Sequence, residues 1–323
     1  MRVLSGIQPS GSFHIGNYFA MMRKMIDYQE NQELFAFIAN LHAMTSLPDG
    51  SLLGINTREA AASFLSLGLD PEKSVFWVQS DVPEVTELTW VLSNVTPMGL
   101  LERCHSYKDK TARGISANHG LFAYPVLMAA DILLFRSDRV PVGQDQKQHL
   151  EVTRDIATKF NNDFGETFVV PDAEIDEGLA VIPGTDGQKM SKSYGNAIDI
   201  FCDRGTLKKQ VMSIVTDSAP VEAPKEPDTC NLFAISSLFL SEDEKKDLAH
   251  RYRAGGLKYS DVKKDLVERI WGYFSPYRAR REELLADQDR LRKIMAQGAE
   301  KARWVGDQTM KEVRSKTGLR YWV

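Results

Sequence analysis

The chain has 323 residues, of which 43% are hydrophobic and 26% charged, with a formal net charge of −4. This is the balance of a globular protein of about two domains, and no apolar run is long enough to span a membrane. The acidic balance gives no sign of a nucleic-acid partner, although a local basic face would be sufficient for one.

The opening residues, Met1 to Gly6, turn polar too soon for a secretory signal, so a cytoplasmic location is expected. Arg2–Ile7 reads as a short strand, and Gln8-Pro9-Ser10-Gly11-Ser12 as a turn cluster. A helix is predicted over Ile15–Tyr28, with Tyr18, Met21, Met22 and Met25 at three-to-four spacing. Leu34–Ile38 and Ser74–Val78 are apolar runs suited to buried strands, and Thr57–Leu69 between them reads as a helix. Helices are expected over Leu121–Phe135 and from about Asp145 to Phe160, with a short strand at Arg139–Val142. Strands alternating with helices imply an α/β fold with a doubly wound, Rossmann-like parallel sheet.

After Ile198 the patterns become helical and charged: Thr206–Val215, Cys230–Leu240, Glu242–Tyr252 and Ser260–Phe274. In the fourth, Val262, Leu266, Ile270 and Tyr273 form one apolar stripe. Pro276 is expected to end it, with a long charged helix following from about Tyr277 to Trp304. We place a domain boundary near residue 197. Residues 1–197 form the α/β domain and 198–323 an all-α domain, whose last stretch packs back on the first. The three cysteines, Cys104, Cys202 and Cys230, contain no CxxC pair, so reduced, mostly buried thiols are expected rather than a zinc site or a disulfide framework.

Three segments carry chemistry. Pro9-Ser10-Gly11-Ser12-Phe13-His14-Ile15-Gly16-Asn17 follows a strand and opens a helix, a place where free N–H groups suit phosphate. Gly11 and Gly16 allow close backbone approach, and His14 and Asn17 add side-chain donors. Read bare, it is equally a capped strand–turn–helix; it is not a Walker loop. Lys189-Met190-Ser191-Lys192-Ser193 follows the glycine-rich loop Pro183–Gly187, and its two lysines could neutralise a polyphosphate. Read bare, it is a solvated basic loop. In the helix Leu121–Phe135, Tyr124, Met128 and Asp131 share a face, and Pro125 suits the first turn. Asp131 is the single charge there and needs a partner: a ligand donor, or a salt bridge to Arg136 or Arg139.

Together the first two segments resemble the HIGH-type and KMSKS signatures of class I aminoacyl-tRNA synthetases. KMSKS is matched in full, and Asn17 replaces the last histidine of HIGH, a variant that looks like the tryptophanyl and tyrosyl branch. Tyr124-Pro125-Val126-Leu127-Met128-Ala129-Ala130-Asp131-Ile132-Leu133 looks like the specificity helix of tryptophanyl-tRNA synthetases.

The resemblance implies activation of L-tryptophan by ATP with Mg²⁺ on its phosphates, then transfer to tRNA(Trp). It also implies a homodimer and a helical domain that binds the anticodon. Lys110, Lys189 and Lys192 would supply the catalytic charge. ATP would meet Gln8, Pro9, Ser10, Gly11, His14, Gly16 and Asn17, then Gly143, Gln144, Asp145 and Ile182, and Lys189 through Ser193, with Met190 and Ser191 between the lysines. Tryptophan would meet Leu4, Gly6, His42, Tyr124, Met128, Asp131, Ile132, Val140, Val142 and Gln146. Asp131 would accept the indole N–H and Met128 pack on the ring, while Tyr124 and Gln146 hold the α-amino end. No protein ligand for a metal is implied.

Two residues depart from the family pattern: Leu4, where an aromatic residue is common, and Asn40, where aspartate is common. Arg278, Arg280, Arg281, Arg290, Arg292 and Lys293 offer a basic face for RNA, or else a solvated salt-bridged helix, since acidic residues are interspersed. A tyrosyl enzyme, a non-catalytic paralogue that binds RNA or tryptophan, and an auxiliary, inhibitor-resistant synthetase are the rival readings.

Overall fold

Five strands, β1 (Arg2–Ile7), β2 (Glu33–Ile38), β3 (Val75–Val78), β4 (Arg139–Val142) and β5 (Asp172–Ile175), form one sheet in the order β3-β2-β1-β4-β5. Every pairing is parallel. The computed structural model describes residues 1–47, 49–104, 118–143, 146–175 and 182–322. β2 is a nearly continuous apolar run because both faces of a parallel sheet are covered, and β1 buries Val3, Leu4, Ser5 and Ile7. The strand order reverses between β1 and β4. In open α/β sheets such a switch point is where ligands bind, outside the carboxyl ends of the strands. Those ends are Ile7-Gln8 and Val142-Gly143 here.

By their contacts, the described residues fall into two compact units that interleave along the chain. The first comprises Met1–Gly11, Ile26–Gly178 and Leu284–Val323; the second comprises Ser12–Met25 and Leu179–Glu283. This differs from two contiguous halves meeting near residue 197. The segment after β1 leaves the sheet unit because its backbone pairs with residues 198–200, through Ile15 N–H to the Ile198 carbonyl at 3.0 Å and Ile200 N–H to the Phe13 carbonyl at 3.0 Å.

The last helix, Gln288–Lys316, belongs to the sheet unit. Its Ala299, Ala302, Met310 and Val313 are buried in the same core as Trp77, Leu92 and Phe135. Contact with β3 is backbone to backbone: a Cβ built on Gly298 would lie 1.7 Å from the Phe76 carbonyl oxygen. Gly298→Ala should therefore force the helix off the strand and destabilise the fold by about 1–3 kcal/mol. An unchanged denaturant midpoint in equilibrium unfolding would contradict this.

Several helix limits differ from the sequence reading. The helix expected at Thr57–Leu69 is Gly50–Ser66, begun by Asp49, whose side chain accepts from Ser51 and Leu52 N–H. The helix expected at Leu121 starts at His119, capped by the Asn118 side chain on Leu121 N–H at 2.8 Å. Pro125 thus lies in the second turn, not the first. Pro276 does not end its helix, which runs Tyr259–Ala286. Full burial of Leu266, Ile270 and Phe274 outweighs the one backbone hydrogen bond that the proline removes. The break comes at Asp287, whose side chain accepts from Arg290 N–H and starts the last helix. The expected helix Ile15–Tyr28 is divided into Ile15–Asn17, a π-helical turn at Tyr18–Met22, and Arg23–Asp27. The cysteines are free thiols, Cys104 buried and the other two half-buried.

Candidate active site

In the second unit the two loop motifs touch. A Cβ on Gly16 would sit 2.9 Å from His14 Nδ1 and 3.3 Å from the Met190 Cβ, so only glycine lets the backbones close in this way. His14 bridges to Asp199 and Pro183 to Lys189 as short antiparallel pairs, and Met190 N–H reaches the Ile182 carbonyl at 2.9 Å. Lys189, Lys192 and Ser193 are exposed, while Ile182 and Met190 are buried. The Lys192 ammonium lies 6.0 Å from the centroid of the Phe13 ring.

His14 forms a reciprocal cap with Asn17. Its Nδ1 accepts from Asn17 N–H and its own N–H donates to Asn17 Oδ1, each at 3.2 Å. Since Nδ1 accepts from a backbone amide, the ring proton sits on Nε2. Burial, then the nearby Lys192 charge, lower the His14 pKa to about 4, against an opposing pull from Asp199. His14 is therefore a neutral donor near neutral pH rather than a cation.

Asn196, which sequence reasoning passed over, holds the lysine-bearing loop. It is buried, accepts from Ser191 N–H at 2.7 Å, and donates to Asp186 Oδ1 at 2.7 Å and to the Lys189 carbonyl at 3.1 Å. A Cβ on Gly184 would fall 2.4 Å from the Asn196 side chain, so that glycine makes room for it.

In the first unit, Asp131 is buried and engages neither Arg136 nor Arg139. Its Oδ2 lies 2.8 Å from His42 Nε2, and Gln79 Nε2 reaches Oδ1 at 2.9 Å and Oδ2 at 2.8 Å. Arg136 instead pairs with Glu312 at 2.6 Å. Burial raises the Asp131 pKa, and the hydrogen bonds and charge of His42 and the hydrogen bond of Gln79 oppose that rise. Tyr124 Oη is 2.5 Å from His149 Nε2, and His149 Nδ1 is 3.0 Å from Gln146 Oε1. A Gln146 oxygen facing Nδ1 requires the proton there, so Nε2 accepts from the Tyr124 hydroxyl. The buried His149 thus links Tyr124 and Gln146, the two residues expected at the α-amino end.

Leu4, Ile132 and Val140 are core residues, with Met128 and Val142 packed against the same core. Gly6 is exposed but leaves no room for a side chain, since an added Cβ would lie 2.7 Å from a Phe37 ring carbon. Asn40 donates to Ser80 Oγ at 2.8 Å and accepts from Ser80 N–H at 3.1 Å. Gln8, Pro9, Ser10 and Gly11 follow β1, and Gly143 follows β4, at the switch point. Lys110, Gln144 and Asp145 lie outside the described residues.

Residues 1–275 match the family model of tRNA synthetases class I (W and Y). The chain belongs to this family. A tryptophan–tRNA ligase of Campylobacter jejuni strain RM1221 is 57% identical over 319 residues, 99% of this chain and 100% of its own length. One from Rhodopirellula baltica is 53% identical over 320 residues, 99% of this chain and 100% of its own. The crystal structure of the Campylobacter jejuni tryptophanyl-tRNA synthetase complexed with ADP and tryptophan matches with a TM-score of 0.95 at 57% identity, covering 98% of this chain and 100% of that one.

The basic face expected of this synthetase needs correction. Arg278 is buried, stacks 3.8 Å from the Trp271 ring centroid, and donates to the Ile200 carbonyl at 3.0 Å. Arg281 lies 4.7 Å from the Phe201 ring centroid. Both serve the segment 198–201, whose backbone pairs with Phe13 and Ile15, because a guanidinium can cap carbonyls and cover a ring at once. Arg292 pairs with Asp289 at 3.0 Å. Among the described residues, no helix is long and apolar enough to cross a membrane.

Proposed function

We propose that this chain is a tryptophan–tRNA ligase: it activates L-tryptophan with ATP to tryptophanyl-adenylate and pyrophosphate, then passes the tryptophanyl group to the 3′ end of tRNA(Trp). The observation that carries the choice of amino acid is Asp131, a buried carboxylate with two side chains against its oxygens, on the helix face of Tyr124 and Met128. A buried acceptor of this kind favours a substrate with a single N–H donor and disfavours one without it.

In the first step the tryptophan carboxylate attacks the α-phosphorus in line as the bond to pyrophosphate breaks. Positioning and charge can carry this step without a protein nucleophile. Lys189 and Lys192 stabilise negative charge on the α-phosphate and the leaving pyrophosphate, joined by Lys110, and His14 donates from Nε2. Tyr124 and Gln146, tied through His149, orient the α-amino end. The lysine loop presents two exposed cations, Lys189 and Lys192, beside the neutral donor His14, while the neighbouring Asp186 carboxylate accepts from Asn196 and from Gln188 N–H. Mg²⁺ carried on the phosphates of ATP would add charge neutralisation there. In the second step the tRNA terminal hydroxyl attacks the adenylate carbonyl. The helices of residues 198–323 bind the anticodon, the active form is a homodimer, and the reaction runs in the cytoplasm with ATP and tRNA.

The deciding experiment is ATP–pyrophosphate exchange with each amino acid, run beside charging of purified tRNA(Trp). Exchange with tryptophan is expected. Exchange with tyrosine alone would make the chain a tyrosyl enzyme, and no exchange would make it a binding protein. Asn196→Ala should raise the KM for ATP and lower kcat by about tenfold together, with tryptophan affinity unchanged, because it loosens the loop that carries both lysines. Equal kinetics in the variant would show that the loop needs no latch.

A further inference from the structure

The Asp131 carboxylate does not stand alone in its site, and the residue that fixes it is Gln79. Gln79 is buried one residue past the carboxyl end of β3. Its amide orientation follows from its neighbours. Oε1 lies 3.0 Å from Leu41 N and 3.4 Å from His42 N, and both are backbone donors. The oxygen must face them, so the NH₂ group must face Asp131, where it spans both carboxylate oxygens at 2.9 and 2.8 Å. A proton on either oxygen would point toward an N–H or displace it.

We propose that Gln79 is a specificity-determining positioning residue, which keeps Asp131 an acceptor for the indole N–H of the substrate. The inference rests on the tryptophan reading above. Burial alone would drive Asp131 toward its neutral form, and a neutral carboxyl can satisfy itself by donating. Held ionised, it is left with an uncompensated lone pair whenever the bound side chain lacks an N–H. That is the physical basis for rejecting such a side chain. Gln79 also fixes the Leu41-His42 turn, and so the ring whose Nε2 is the second partner of Asp131.

The test compares tryptophan with its benzothienyl analogue, in which sulfur replaces the N–H, in pyrophosphate exchange. In Gln79→Met, the ratio of kcat/KM for tryptophan over the analogue should fall about tenfold or more. A merely structural role would lower both values together and leave the ratio unchanged; a ratio within twofold of the parent enzyme overturns the proposal. If Gln79→Met does not fold, Gln79→Glu keeps an oxygen for the Leu41 and His42 N–H groups. Its ratio should fall as pH rises, because only its protonated form can donate to Asp131. Asp131 and His42 are the titratable groups contacting it among the described residues, and a ratio equal to the parent's throughout overturns the proposal. Failure of the parent enzyme to exchange with tryptophan would defeat the tryptophan reading itself, and is read separately from either variant.

Discussion

Lys192→Ala should slow adenylate formation by about 10²–10³-fold while changing tryptophan affinity by less than about twofold. The lysine is exposed on the loop beside His14. Its charge has work to do only once ATP is present, when negative charge moves onto the leaving pyrophosphate. Ground-state binding of the amino acid uses other groups. Pre-steady-state activation, set beside equilibrium titration with tryptophan, separates the two effects. A normal activation rate would remove Lys192 from the catalytic set. The same variant has a second signature. Lys192 is the second cause of the lowered His14 pKa, after burial. Removing the ammonium should move the His14 titration upward from about 4, toward but not reaching 6.5. Proton NMR titration of the imidazole would read this directly.

Asp131→Ala should cost tryptophan about 10²–10³-fold in kcat/KM, and the benzothienyl analogue far less. Two effects combine. The substrate N–H loses its acceptor, and the Gln79 and His42 donors lose theirs in a dry site. Only the first discriminates between substrates, so the ratio isolates it. Equal losses for both substrates would make Asp131 a structural anchor. Asp131→Asn controls for shape, since it keeps the volume and one acceptor oxygen.

How much of this was legible in the sequence varies by residue. The limits of β1 and β4 were read correctly, because a short apolar run bounded by turn formers admits few alternatives. The two loop motifs were legible in order and spacing, and the contact of Gly16 with Met190 gives that order a physical form. Asp131 stood out because a charge in an apolar helix demands a partner. The identity of the partner did not. Gln79 and His149 are polar residues near the ends of regular elements, with no periodic signal, and their partners lie 52 and 25 residues away in sequence. Asn196 was hidden for the same reason, in a loop whose hydrogen bonds are set by backbone geometry. The start of the Gly50–Ser66 helix was hidden behind Gly50, Ser51 and Gly54, which are poor helix formers carried by the Asp49 cap. Pro276 misled because its cost is local, while the burial that overrides it is tertiary. Arg278 and Arg281 misled because charge in a sequence says nothing of whether it faces water.

The close fit of Gly298 on β3 bears on how the protein is made. The helix that packs against β3 spans Gln288–Lys316. Domains generally fold in order of emergence from the ribosome, but here β3 waits for residues synthesised more than two hundred positions later. Until then the nascent chain carries an edge strand and an apolar core face without their cover. Completion of the unit therefore awaits synthesis of Gln288–Lys316, and a ribosome stalled short of Gln288 would present chaperones with that open edge.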